Sequence, residues 1–155
     1  MPTTAYLTLT GKAQGAIKGN VTAEDREGAI ALLAVEYEIS SPFDPTTGQS
    51  SGKRQHKPIV VTKAIDDTSP SLLKALVTNE VLTTVKIDFW RPAPETATPY
   101  FSISLTNAIV SDVTLNSSAD EATSEIEQLQ FVYQRIVWTW TANGTSAQDD
   151  WNATG

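Results

Sequence analysis

Apolar and polar positions alternate along most of this chain with a period of two, the spacing of a strand with one buried face. Residues 6–10 place Leu7 and Leu9 on one side and Tyr6, Thr8 and Thr10 on the other. Gly11 and Gly15 interrupt this pattern, and a second short strand is expected over residues 16–21, ahead of a polar turn at 25–28. A longer strand over 29–39 changes character along its length. Ile30, Leu32 and Leu33 make its first half apolar on both faces, whereas Val35, Tyr37 and Ile39 then alternate with Glu36, Glu38 and Ser40. Residues 58–65 set Ile59, Val61 and Ile65 on one face. Over 81–91, Val85, Ile87 and Phe89 point inward and Lys86 and Asp88 outward, and 92–98 reads as a turn. The clearest strand covers 100–115, with Phe101, Ile103, Leu105, Ile109, Val113 and Leu115 sharing one face. The last covers 126–140, and its apolar positions switch from odd (Leu129, Phe131, Tyr133) to even (Ile136, Trp138, Trp140). Such a switch needs a bulge, or a strand buried first on one side and then on the other.

Two segments break the alternation. Residues 41–57 hold two prolines, two glycines and many small polar residues, which makes a loop. Its length exceeds the usual connection inside a compact domain, a property of functional or disordered loops. Ser69-Pro70 is a helix start, since Ser caps free amides and Pro suits the first helical position. Leu72, Leu73, Leu76 and Val77 follow at helical spacing, and Asn79 closes the helix, so one short helix is expected at about 70–79. A helix of that length spans about 15 Å, enough to cover one patch of a sheet and too little for a bundle. The expected fold is therefore mainly β, an antiparallel two-sheet barrel or sandwich with one flanking helix, forming a single domain over 1–155.

Composition narrows the function. The formal net charge is −7 and only 19% of residues are charged, which argues against binding nucleic acid or inserting into an anionic membrane surface. The absence of cysteine excludes disulfides, thiolate metal sites and cysteine nucleophiles. The first residues show no charged segment followed by an apolar run, so no cleaved signal peptide is expected, and synthesis and folding in the cytoplasm are. No phosphate loop, GxSxG or HExxH occurs, and no catalytic residue, metal or cofactor is expected. The lone histidine, His56, reads as a solvated loop residue. Glu36 and Glu38 share one strand face, a spacing that a glycosidase carboxyl pair also meets, although an ordinary wet strand face explains it as well. Trp138 and Trp140 fit a core, a subunit interface or a sugar platform.

Several segments together resemble the haemolysin-coregulated protein (Hcp) family. They are SPFDPTTGQ at 41–49, GKRQHKPI at 52–59, TKAID at 62–66, SPSLLKAL at 69–76, the late pair FVY at 131–133 and IVWTW at 136–140, and DDW at 149–151. Their order and spacing cover nearly the whole chain. Ala64 is a mild departure, at a position where the family often carries a charge. The resemblance implies six-membered rings of β-barrel subunits that stack into the inner tube of a type VI secretion apparatus. That tube lies within a contractile sheath beneath a spike-tip protein, and effectors travel in its lumen. The family resembles phage tail-tube proteins, and a phage or pyocin-like tail tube is the first rival reading. A monomeric β-sandwich carbohydrate-binding module using the two tryptophans is the second, and an enzyme using the two glutamates the third.

On this resemblance the two-sided strand and the parity switch are expected where a subunit buries a second face against a neighbour. Ile30, Leu32, Trp138 and Trp140 are the subunit-interface candidates, and Glu36 and Glu38 the candidates for facing the lumen. The long loop is expected to join stacked rings through Phe43, Asp44, Lys53, Arg54, His56 and Lys57. Secretion would follow sheath contraction and need no leader.

Overall fold

A computed structural model describes residues 5–19, 21, 27–52, 54–90, 99–119, 125–141 and 143–150. Lys53, the turn expected at 92–98 and Trp151 lie outside them. The chain folds as β1 (Ala5–Gly11), β2 (Gly15–Ile17), β3 (Ile30–Leu32), β4 (Ala34–Glu36), β5 (Ile39–Ser40), β6 (Gln55–His56), β7 (Ile59–Ala64), α1 (Ser69–Val77), β8 (Leu82–Trp90), β9 (Pro99–Asn116), β10 (Ile126–Val132), β11 (Arg135–Trp140) and β12 (Thr145–Asp150). Among the described residues every strand pairing is antiparallel, and the main sheet runs β2-β1-β8-β9-β10-β7-β4. The mainly β architecture with one flanking helix matches the reading of the sequence.

The organising unit is a long two-stranded ribbon. β9 pairs with β10 over residues 109–116 and with β11 over residues 101–106. On the outer edges, β8 lies along the first half of β9, β7 along β10 and β12 along β11. The pleat of the ribbon reverses at one level. In β9 the buried positions pass from Ile103 and Leu105 to Ala108 and Val110; in the opposite strand they pass from Phe131 and Tyr133 to Ile136. Asn107 takes φ 52 at the crossing, and its side-chain amide donates to Gln134 Oε1 at 3.0 Å. A residue in the left-handed region resets the pleat, so the ribbon bends and keeps facing one core.

The parity switch read at 133–136 is thus a corner of the subunit's own barrel rather than a sign of a neighbour. A second register shift, between Gln130 and Phe131, moves the inward position on to Val113. The single face expected for 100–115 is therefore broken twice: Leu115 is exposed and Ile109 half-buried.

The strand expected over 29–39 is three pieces. β3 pairs with β1 and β4 with β7, and only Leu33 separates them. One stretch of chain therefore lies along the outer edges of both β1 and β7. The hydrogen-bonded ladder is interrupted at this seam, where Leu33 N–H donates to the Thr62 carbonyl at 2.7 Å. Ile30 and Leu32 are each 2% exposed inside the subunit's core, which corrects their assignment to a subunit interface; Leu33 is the one that faces out, at 59%.

Helix α1 packs Leu72 and Ala75 into the core and lies against β9. Its cap residue is Thr68 rather than Ser69, with Pro70 in the first turn. The Asp66 carboxylate accepts from the Thr68 amide at 2.9 Å and from its hydroxyl at 2.5 Å. At the far end Asn79 sits at φ 52, and the Glu80 amide donates to the Ala75 carbonyl at 2.9 Å, a Schellman closure.

Candidate functional site

Residues 41–52 and 54–57 form a hairpin arm rather than a featureless loop. At its root Ile39 pairs with His56 and Ser40 with Gln55, and the Lys57 amide donates to the Glu38 carbonyl at 3.1 Å. Further out Phe43 bridges Ser50, and the Ser51 amide donates to the Pro42 carbonyl at 3.0 Å. The tip is a tight turn in which Asp44 Oδ1 accepts from the Thr46 amide at 2.8 Å and Gly48 adopts φ 75. That positive φ explains the glycine. Phe43 is 63% exposed on the arm, an apolar ring held out by an otherwise polar hairpin.

The root of the arm is clasped by the last strand. Arg54 donates to both oxygens of Asp149, from Nε at 2.5 Å and Nη2 at 2.8 Å, and from Nη2 to the Asp150 carbonyl at 3.0 Å. His56 Nε2 lies 2.5 Å from Asp149 Oδ2, and its Nδ1 lies 3.0 Å from the Tyr133 hydroxyl and 3.4 Å from that of Tyr37. The imidazole packs edge-on against the Tyr133 ring at 5.5 Å.

Hydrogen bonds from Arg54, joined by His56, hold the Asp149 carboxyl well below the usual carboxylate range. Burial pushes both the Tyr133 and Tyr37 hydroxyls above the ordinary tyrosine value. The Asp149–His56–Tyr133 chain joins β12, the root of the arm and the junction of β10 and β11 through one run of hydrogen bonds, an arrangement that braces the root.

Several expectations change here. His56 is buried, 7% exposed, and is no solvated loop residue. Arg54 is spent on its own chain, so the expectation that Arg54 and His56 reach a stacked ring is corrected: both serve the arm's root. Phe43 and Lys57 do lie on exposed surface, and Asp44 is half-buried beside Phe43. Lys57 Nζ lies 3.3 Å from Glu38 Oε2 in a solvated pair. Glu36 and Glu38 are both exposed and line a groove of about 380 Å³ with Tyr37, Lys57, Val60 and Gln130. The tryptophans separate: Trp138 is half-buried against the core, while Trp140 is 39% exposed and edge-stacked on Tyr100 at 5.7 Å.

A second polar cluster escaped the sequence reading altogether. Lys63 and Glu127 face each other across β7 and β10, fully buried and hydrogen-bonded, and Lys63 Nζ also donates to Asp66 Oδ1 at 2.9 Å and the Ala64 carbonyl at 2.8 Å. The signal was present, because Lys63 shares its parity with Ile59 and Val61, and Glu127 with Leu129 and Phe131. Through Asp66 the pair fixes the N-terminus of α1 to the barrel.

Barrel, flanking helix and projecting arm define a class: an antiparallel β-barrel subunit that presents a clasped hairpin at its edge. Residues 6–140 match the family model described as "Type VI secretion system effector, Hcp". The chain is 36% identical to the "Major exported protein" of Pseudomonas aeruginosa, over 99% of this chain and 98% of that protein. Among solved structures it resembles Hcp1 from Escherichia coli EAEC 042 (TM-score 0.86, 31% identity, 97% and 99% of the two chains covered). It also resembles secreted protein Hcp3 from Pseudomonas aeruginosa (TM-score 0.76, 33% identity, 96% and 99% covered). The chain belongs to the Hcp family of type VI secretion proteins.

Proposed function

We propose that this protein is a structural subunit of the type VI secretion inner tube and not an enzyme. It assembles as a homo-hexameric ring; rings stack; sheath contraction expels the stack beneath the spike tip, with effectors carried in the lumen. It is held in the cytoplasm until firing. The observation that carries this reading is the family match across residues 6–140 on a barrel whose arm holds Phe43 in solvent. Burying that exposed ring against a neighbour would take apolar surface out of water. A stacked ring is the covering surface in this reading, with Asp44, Lys57 and Lys53 supplying charged contacts worth about 0–1 kcal/mol each, multiplied around the ring. Glu36 and Glu38 face the lumen, and Trp140 lies between subunits.

The test is Phe43→Ser. Because Phe43 contributes little to its own core, the variant should fold and form rings of wild-type size in light scattering. Tubes should be scarce in negative-stain images, and secretion should fall. A wild-type protein that stays monomeric at high micromolar concentration would sink the reading as a whole.

A further inference from the structure

We infer that Asp149 is a positioning residue: it clasps the root of the 41–57 arm to strand β12, so that the direction of the arm is set by the C-terminal edge of the barrel. The role given to the arm rests on the proposed tube function; the clasp itself does not.

The geometry is specific. Arm and C-terminal strand are remote in sequence, and the Arg54–Asp149 contact spans 95 residues. The root of the arm has little backbone pairing of its own, since β5 and β6 are two residues each. Two ladder positions and the Lys57–Glu38 backbone hydrogen bond are short pairing for the root of a projecting hairpin. What restrains it is side-chain chemistry. A planar guanidinium takes both oxygens of one carboxylate, the geometry that fixes direction as well as distance. His56 takes the same carboxylate from a second point on the root, and its ring is wedged against Tyr133. Two donors from alternate positions of one segment, converging on one carboxylate, hold the segment against rotation as well as translation.

The other end of the link is β12, which pairs with β11 through residues 145–150. β12 has no second strand partner among the described residues. Residues 145–148 are exposed and Asp149 and Asp150 are half-buried, so burial in the strand is concentrated at the clasp. Anything that straightens or displaces this edge strand moves Asp149, and Asp149 moves Arg54 and His56. The clasp therefore couples the state of a barrel edge to the pose of the arm. If the edge is where a neighbouring copy sits, arms are set as a ring closes.

The experiment is hydrogen exchange by mass spectrometry on the full chain, comparing wild type with Asp149→Asn. Peptides covering 39–57 should exchange about tenfold faster or more, while peptides from β8 and β10 keep their protection. Arg54→Gln, which approaches the clasp from the arm side, should give the same confined loosening. The double variant should be little worse than either single one, the signature of two residues acting through one contact. Unchanged exchange over 39–57 in both variants would overturn the clasp. So would equal acceleration throughout the barrel, since Asp149 would then be a general stability residue. Negative-stain imaging separates the two readings: a loosened arm with normal tubes would refute the arm's proposed role in stacking and leave the clasp standing.

Discussion

At the residue scale the buried charges are the most exacting feature. Lys63 and Glu127 are both 0% exposed. A buried pair is a poor source of stability, because desolvation offsets much of the attraction, yet breaking it strands a charge. Lys63→Met should therefore cost about 3–5 kcal/mol. Glu127→Leu should cost less, because Asp66 and the Ala64 carbonyl still receive the ammonium. The double variant should recover most of the loss. Urea unfolding of the four proteins checks the cycle; a double variant as unstable as Lys63→Met would contradict it. Asp149 gives the second prediction. Its carboxyl is depressed in the folded protein, so its contribution is fully present above the ordinary carboxyl range, about pH 4, and is lost as pH falls toward the folded value. The stability advantage of wild type over Asp149→Asn should thus be larger at about pH 6 than at about pH 3 in urea midpoints. An advantage that grew on acidification would reverse the sign.

At the element scale the decisive positions are those where a strand changes face. Asn107 occupies the left-handed region in mid-strand, a conformation that costs a β-branched residue about 1–2 kcal/mol. Asn107→Val should lower stability by roughly that amount, whereas Asn107→Gly should cost less; thermal melts distinguish them. Helix α1 was legible because Ser69-Pro70, the leucine spacing and Asn79 are local signals. β1 was legible because its alternation is unbroken from Ala5 to Gly11. β9 was found but misread, since its odd-numbered apolar residues suggest one face throughout, and only a backbone angle at Asn107 shows otherwise. The arm's root was unreadable for another reason. Nothing near His56 in sequence announces Asp149, because a clasp between distant strands leaves no periodic trace. Lys63 and Glu127 lay on inward-facing parity and were passed over as charges.

At the scale of the whole molecule, charge and surface bear on assembly. Glu36 and Glu38 are exposed. On the proposed ring, replacing both with Gln should leave folding and ring size in light scattering unchanged, with any effect confined to cargo retention. Rings that fall apart would make them interface residues. Trp140, with Phe43 and Leu33, is among the large apolar side chains that the isolated subunit leaves exposed. Leu33 stands at the seam where β3 passes into β4.

The placement of β1 has a kinetic consequence. Its long ladder is with β8, which pairs Leu7 with Ile87 and Leu9 with Val85, so the N-terminal strand must wait for a partner made much later in synthesis. β9, β10 and β11 follow one another and meet as close sequence neighbours. Closing a long loop is slow, and near neighbours collide first. The ribbon is therefore the expected nucleus, and the capture of β1, followed by β3 and β4 along the seam, the expected last step. Val110→Ala should slow refolding in stopped-flow measurements, while Leu7→Ala should leave refolding nearly unchanged and hasten unfolding. Until that last strand docks, the edge of β8 is open and adhesive. Each time the chain is made it thus passes through a moment when the open edge of another copy could pair with it.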